Sequence, residues 1–198
     1  YNTAFENNKI YYQGNIQFSA NHQLIASYGY VKNGFGANGF YAAPGDKDSK
    51  EIVETSMVMI QSKHQLSNRW HLAPRLSYRY NFDDYRYYKH DITRARSTHF
   101  SNSISGELNS TYRTKNGQIG VGLEYRNEQI NSTSIKQHTR ENVGLYAEYK
   151  TDLTPKLNVN LGTYVNYNCQ YGWQFFPGID ASYSINSNLK LIANAGTS

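Results

Sequence analysis

The stretch Gln118-Ile119-Gly120-Val121-Gly122-Leu123-Glu124-Tyr125-Arg126 decides the fold. Ile119, Val121, Leu123 and Tyr125 fall on one parity, and Gln118, Gly120, Gly122, Glu124 and Arg126 on the other. Successive side chains of a strand point to opposite faces, so this segment is a strand with one apolar and one polar face. The same reading applies to its neighbour, where Phe100, Ile104, Leu108 and Tyr112 oppose Ser101, Ser103, Ser105, Glu107 and Arg113. Between them Lys115-Asn116-Gly117 has the residues that tight hairpin turns favour.

Working outward, the pattern recurs in 71–82, with Leu72, Leu76, Tyr78, Tyr80 and Phe82 against His71, Arg75, Ser77, Arg79 and Asn81. It recurs again in 157–167, where Leu157, Val159, Leu161, Val165 and Tyr167 oppose Asn158, Asn160, Gly162 and Asn166. Ten strands are predicted, at 9–19, 23–31, 51–65, 70–82, 98–113, 117–127, 141–151, 156–168, 175–185 and 189–196. Tight turns fall at Ala20-Asn21-His22, Ser67-Asn68-Arg69, Lys115-Asn116-Gly117, Thr154-Pro155-Lys156 and Asn186-Ser187-Asn188. Longer links fall at about 32–50, 83–97, 128–140 and 169–174, so short and long connections alternate. The expected fold is all-β, an antiparallel up-and-down meander with every tight turn at one end.

Several strands match the ~9–11 residues that cross a bilayer when tilted. Long strands, one-sided tight turns and alternating faces are the signature of an outer-membrane barrel wall. Lipid leaves no water for backbone N–H and C=O groups, and a closed sheet pairs them internally. Only the outer face must then be apolar, which reconciles a membrane protein with 38% hydrophobic residues and a mean hydropathy of −0.73. A secreted β-sandwich also alternates, but its strands are usually shorter and its connections cross between sheets. Periodicity by itself leaves open which face looks inward.

Composition excludes several classes. No apolar run approaches the ~18 residues of a membrane helix. The net charge of +5 is scattered and forms no continuous stripe for nucleic acid. Cys169 is alone, which excludes an internal disulfide and a cysteine-based zinc site. His22, His64, His71, His90, His99 and His138 contain no i, i+2 or i, i+4 pair for a metal. Asp46, Asp48 and Glu51 lack the ligand count and glycine of an EF-hand loop. No metal and no cofactor are expected.

The stretch Tyr28-Gly29-Tyr30-Val31-Lys32-Asn33-Gly34-Phe35-Gly36-Ala37-Asn38-Gly39-Phe40-Tyr41 resembles a barrel segment of TonB-dependent outer-membrane receptors, in the cobalamin- and siderophore-receptor-like branch of Bacteroidetes. Phe176-Pro177-Gly178-Ile179-Asp180-Ala181-Ser182-Tyr183, followed by Leu189 to Ser198, is similar to a late strand pair of the same family. The resemblance implies a plug domain inside a barrel of about twenty-two strands, with TonB engaged through the plug. Residues 1–198 would then be an interior arc of that barrel, a partial transmembrane β-barrel domain without plug. Both ends read as cut. The implied partners are the outer-membrane bilayer, lipopolysaccharide, an imported ligand such as a cobalamin or ferric siderophore, and TonB through the absent plug.

In that family, outer loops capture the ligand. Here those loops carry Phe35, Phe40 and Tyr41, then Tyr85, Tyr87 and Tyr88, then Tyr171 and Trp173. Aromatic rings give a bulky ligand large contact area at low entropy cost. The competing role is an interfacial girdle. Lys89, Arg94 and Arg96 are candidates for lipopolysaccharide phosphates or an anionic ligand. A self-contained ten-stranded porin-like or adhesin-like barrel is the alternative, and it requires strand 9–19 to pair with strand 189–196. An omptin-like hydrolase would need Asp83, Asp84, His90 and Asp91 gathered at the rim; no catalytic residue is assigned.

Overall fold

Alternating sequences pair edge to edge because each strand leaves its N–H and C=O groups pointing sideways in the sheet. A computed structural model describes residues 2–39 and 47–197, and these form one ten-stranded antiparallel sheet in sequence order. The strands are β1 (Phe5–Ser19), β2 (His22–Gly36), β3 (Lys50–Gln65), β4 (Trp70–Arg86), β5 (Arg96–Arg113), β6 (Gly117–Ser132), β7 (Lys136–Thr154), β8 (Leu157–Asn168), β9 (Gly172–Ser184) and β10 (Lys190–Gly196). The all-β meander is therefore as expected, with no helix among the described residues.

Several strands run past their expected ends. The link expected at 128–140 shrinks to 133–135, because β6 and β7 stay paired from Asn127↔Glu141 to Ser132↔Lys136. The link at 169–174 shrinks to 169–171, closed by Gly172 in the left-handed region at φ 74°. Polar residues occupy both faces of these strand ends, so the two-residue hydrophobic period vanishes while backbone pairing continues.

The two faces differ in shielding, and this settles their orientation. On β6 and β7 the apolar side chains are the open ones, with Leu123 50% and Leu145 55% exposed. Their polar neighbours Gly120, Gly122, Asn142 and Gly144 are buried. Among the described residues Ala37 is the one buried hydrophobic side chain. The sheet therefore has no apolar core. Its aliphatic face turns away from the shielded side, as a wall against hydrocarbon requires.

Both outermost strands are edges. β1 pairs with β2, β10 pairs with β9, and no contact joins β1 to β10. This corrects the alternative of a self-contained ten-stranded barrel, which depends on that pairing.

Candidate functional site

Register places each candidate side chain. On the polar face near the long-link end, Phe35, Glu51, Tyr85 and Ser97 stand opposite one another on β2, β3, β4 and β5. One step along, Asp83 faces His99, whose Nδ1 lies 2.7 Å from Ser132 Oγ. Asp83, Tyr85, Ser97 and His99 line a recess of about 280 Å³. Two of the expected ligand aromatics, Phe35 and Tyr85, are thus brought to one row. Phe40 and Tyr41 lie outside the described residues, as does Asp46.

The link between β4 and β5 carries its own cluster. Tyr87 and Tyr88 meet edge to face at 4.8 Å, and the Arg94 guanidinium lies 4.5 Å from the Tyr88 ring centre. Asp91 accepts from the Thr93 hydroxyl at 2.6 Å and the Thr93 N–H at 3.0 Å. These two bonds hold its carboxyl below the usual range. Lys89 is tied to Asp48 at 3.1 Å. The omptin-like constellation is not assembled: Asp83 and Asp84 occupy opposite faces, and Asp91 is bound within its loop.

Trp173 and Arg96 sit elsewhere. Trp173 is 74% exposed on the apolar face, with its ring centre 5.1 Å from that of Tyr167. Arg96 lies on the same face with Arg86, directly opposite it. Between them Asp84, 1% exposed, accepts from Arg86 Nη2 at 2.6 Å and Arg96 Nε at 2.7 Å. This cluster lies beyond the stacked Phe82–Phe100 pair (4.7 Å), where the apolar belt stops. Burial raises the Asp84 pKa, but the two guanidiniums outweigh it and hold the carboxyl below its ordinary value.

A second recess was not anticipated from sequence. It has a volume of about 430 Å³ and lies on the polar face, lined by Arg79, Ser101, Ser103, Glu128, His138 and Arg140 among others. Arg140 pairs with Glu128 at 2.7 Å, whereas Arg79 has no ion pair among the described residues. Arg79 was readable as polar-face, but Glu128, His138 and Arg140 lie in the segment expected to be a loop. Below it, Arg75 pairs with Glu107, and the Tyr146 hydroxyl donates to Asn109 Oδ1 at 3.0 Å. Among the described residues no three His, Cys, Asp or Glu side chains gather as a metal site.

The family model for the TonB-dependent receptor-like β-barrel matches residues 1–198. The chain belongs to the TonB-dependent receptors. Its ten strands are part of their barrel, and the apolar face is the outer, lipid-facing one. Barrels of this family are outer-membrane proteins, which places this wall in the outer membrane. The siderophore receptor PirA of Pseudomonas aeruginosa is similar at 16% identity and TM-score 0.72, over 92% of this chain and 31% of that one. The ferric enterobactin receptor PfeA of the same organism gives 13%, 0.75, 96% and 32%. The ferric citrate transporter FecA in its unliganded form gives 10%, 0.69, 98% and 36%. At these identities the likeness is one of fold, and the chain spans about a third of each structure. None of the curated proteins compared with the chain matches it. The family is one of receptors and not an enzyme class.

Proposed function

We propose that this wall belongs to a receptor that takes up an anionic ferric chelate through a plugged barrel, driven by TonB acting on the plug. The observation that carries the reading is the lumenal recess around Arg79 and Arg140. Arg79 offers five N–H donors and makes no ion pair among the described residues, while Glu128 in the same recess is held by Arg140. Carboxylate or catecholate oxygens of a chelate match guanidinium groups in charge and geometry. The siderophore and ferric citrate proteins of the same fold support this ligand class. Cobalamin, the other ligand the resemblance implies, offers a single phosphodiester to such a site.

Phe35, Tyr85, Tyr87 and Tyr88 would form the aromatic mouth above the recess, with Phe40 and Tyr41 in the link that follows Phe35. Lys89 and Arg94 belong to the same mouth. Trp173, its ring tilted against that of Tyr167 on the lipid side, acts as girdle, and Arg96 turns toward lipopolysaccharide. The test is uptake of labelled ferric citrate, a ferric catecholate and cobalamin by cells carrying the full-length receptor, with and without TonB. TonB-dependent uptake of a ferric chelate is expected. Uptake indifferent to TonB overturns the importer, and cobalamin uptake alone overturns the ligand class.

A further inference from the structure

Two histidines far apart in the chain meet on the outer face. His22 and His64 are register partners and form the terminal pair of the β2–β3 ladder, at the tight-turn end. Their rings stack with centres 4.4 Å apart. Both turn the same nitrogen to one point: His22 Nε2 lies 3.0 Å from Ser62 Oγ, and His64 Nε2 lies 2.8 Å from it. Spacing along the sequence does not reveal this pair, because antiparallel register brings the side chains together and no short offset does. Phe18 stacks on His22 at 5.0 Å, and Leu72 is the register partner of His64 on its other side. The two imidazoles are thus half-buried among apolar side chains, with their nitrogens converging.

Converging imidazole nitrogens are a donor set that divalent zinc, copper and nickel favour. The Ser62 hydroxyl now serves both rings as a neutral hydrogen-bond partner, and a cation takes a lone pair from each ring instead. We propose that His22 and His64 bind one divalent transition-metal ion, Zn²⁺ or Cu²⁺, through Nε2 of each ring. Metal–nitrogen bonds of about 2.0–2.1 Å draw the two rings onto the ion, with Ser62 Oγ beside it and water in the remaining positions. Among the described residues no third His, Cys, Asp or Glu joins the pair, so the site is open to water on one side. Tight turns of an outer-membrane barrel face the periplasm, and the ion enters from there. β2 and β3 follow one another in the chain through the link at the opposite end, so the ion ties together ends that only the ladder holds. The proposal uses the orientation of the wall but neither the imported ligand nor TonB.

The test uses the detergent-solubilised, untagged full-length receptor and the variants His22→Gln, His64→Gln and His71→Gln. His71 is the register partner of Gln65 on the lumenal face and serves as control. Zn²⁺ is titrated by calorimetry, and bound Cu²⁺ is followed by pulsed electron paramagnetic resonance, which counts coordinated imidazoles. Wild type and His71→Gln are expected to hold Cu²⁺ through two imidazoles, and His22→Gln and His64→Gln through one. Zn²⁺ affinity should fall by roughly tenfold or more in those two variants. Zn²⁺ should also raise the melting temperature of wild type and leave theirs unchanged. Unchanged Zn²⁺ affinity in both variants, or a two-imidazole signal that survives in them, overturns the proposal. An equal loss in His71→Gln overturns it too, because the metal then sits on the lumenal side. Diethyl pyrocarbonate labelling of the wild-type receptor, read by peptide mass spectrometry, gives an answer even where a variant fails to fold. Zn²⁺ should protect His22 and His64 together, and equal labelling with and without Zn²⁺ overturns the site.

Discussion

The Tyr146 ring occupies the space that a Cβ on Gly122 would fill, and the two residues are direct register partners on β7 and β6. Tyr164 also covers a glycine, Gly144, but from the diagonal: the register partner of Gly144 is Asn166, two residues along β8 from Tyr164. A ring laid over a bare backbone fills what would otherwise be a gap in the lumenal face, and it aims the Tyr146 hydroxyl at Asn109. Gly122→Val would drive the ring off this position. A destabilisation of about 1–3 kcal/mol is expected, the usual range for overpacking. Urea unfolding of the full-length receptor in vesicles measures it, and Tyr146→Ala in the same background should recover part of the loss. A Gly122→Val variant as stable as wild type contradicts the fit.

The apolar belt makes a sharper distinction between faces. Leu123 and Glu124 are neighbours in the chain, yet one faces hydrocarbon and the other the lumen. Leu123→Arg should lower folding stability by about 2–4 kcal/mol if it lies near the bilayer midplane. Glu124→Gln should change it by less than about 1 kcal/mol, because the lumenal face is wet. Similar losses at both sites would argue against the assigned faces.

These two sites also show what the sequence makes legible. Ile119, Val121, Leu123 and Tyr125 alternate with small and charged residues because lipid accepts only one kind of side chain and the lumen the other. That constraint ends with the hydrocarbon. Beyond it, Asn127, Gln129 and Asn131 share the parity of Leu123, yet they face water and carry no apolar mark. Alternation accordingly predicts loops at these strand ends, and places Glu128 and Arg140 in one of them. The row of Phe35, Glu51, Tyr85 and Ser97 was hidden for another reason. It depends on the register between four strands, which link lengths and turn geometry set and no single-strand period reports.

Asp84 gives the wall a pH dependence with a definite sign. Its folded carboxyl titrates below its unfolded value because Arg86 and Arg96 favour the charged form. Its contribution is therefore complete above the unfolded pKa of about 3.9, and it is lost as pH falls through the lower folded value. Asp84→Asn should be less stable than wild type at pH 7, by about 1.5–3 kcal/mol for loss of charged hydrogen bonds. The difference should narrow toward pH 2. Thermal melting of the two full-length proteins across this range checks it, and a gap that stays constant with pH would show that Asp84 acts by packing alone.

The lumenal recess and the girdle predict opposite outcomes for two large substitutions. Arg140 lines the recess beside Arg79, so Arg140→Ala removes a cation from the proposed chelate contact and leaves Glu128 with only its longer 3.9 Å contact to Arg126, so that its charge repels an anionic ligand more strongly. Both effects act in the same direction. Affinity for a ferric chelate should fall at least tenfold, or about 1.4 kcal/mol. Trp173→Ala removes a larger side chain, but one turned toward lipid against Tyr167. It should leave chelate affinity within about twofold and instead lower the yield of folded receptor in membranes, since an interfacial ring anchors the wall at head-group level. Fluorescence titration with ferric citrate and with a ferric catecholate, on receptors matched for folded fraction, separates the two. If Trp173→Ala weakens the chelate and Arg140→Ala does not, the ligand meets the outer loops from the lipid side and the lumenal recess is not its site.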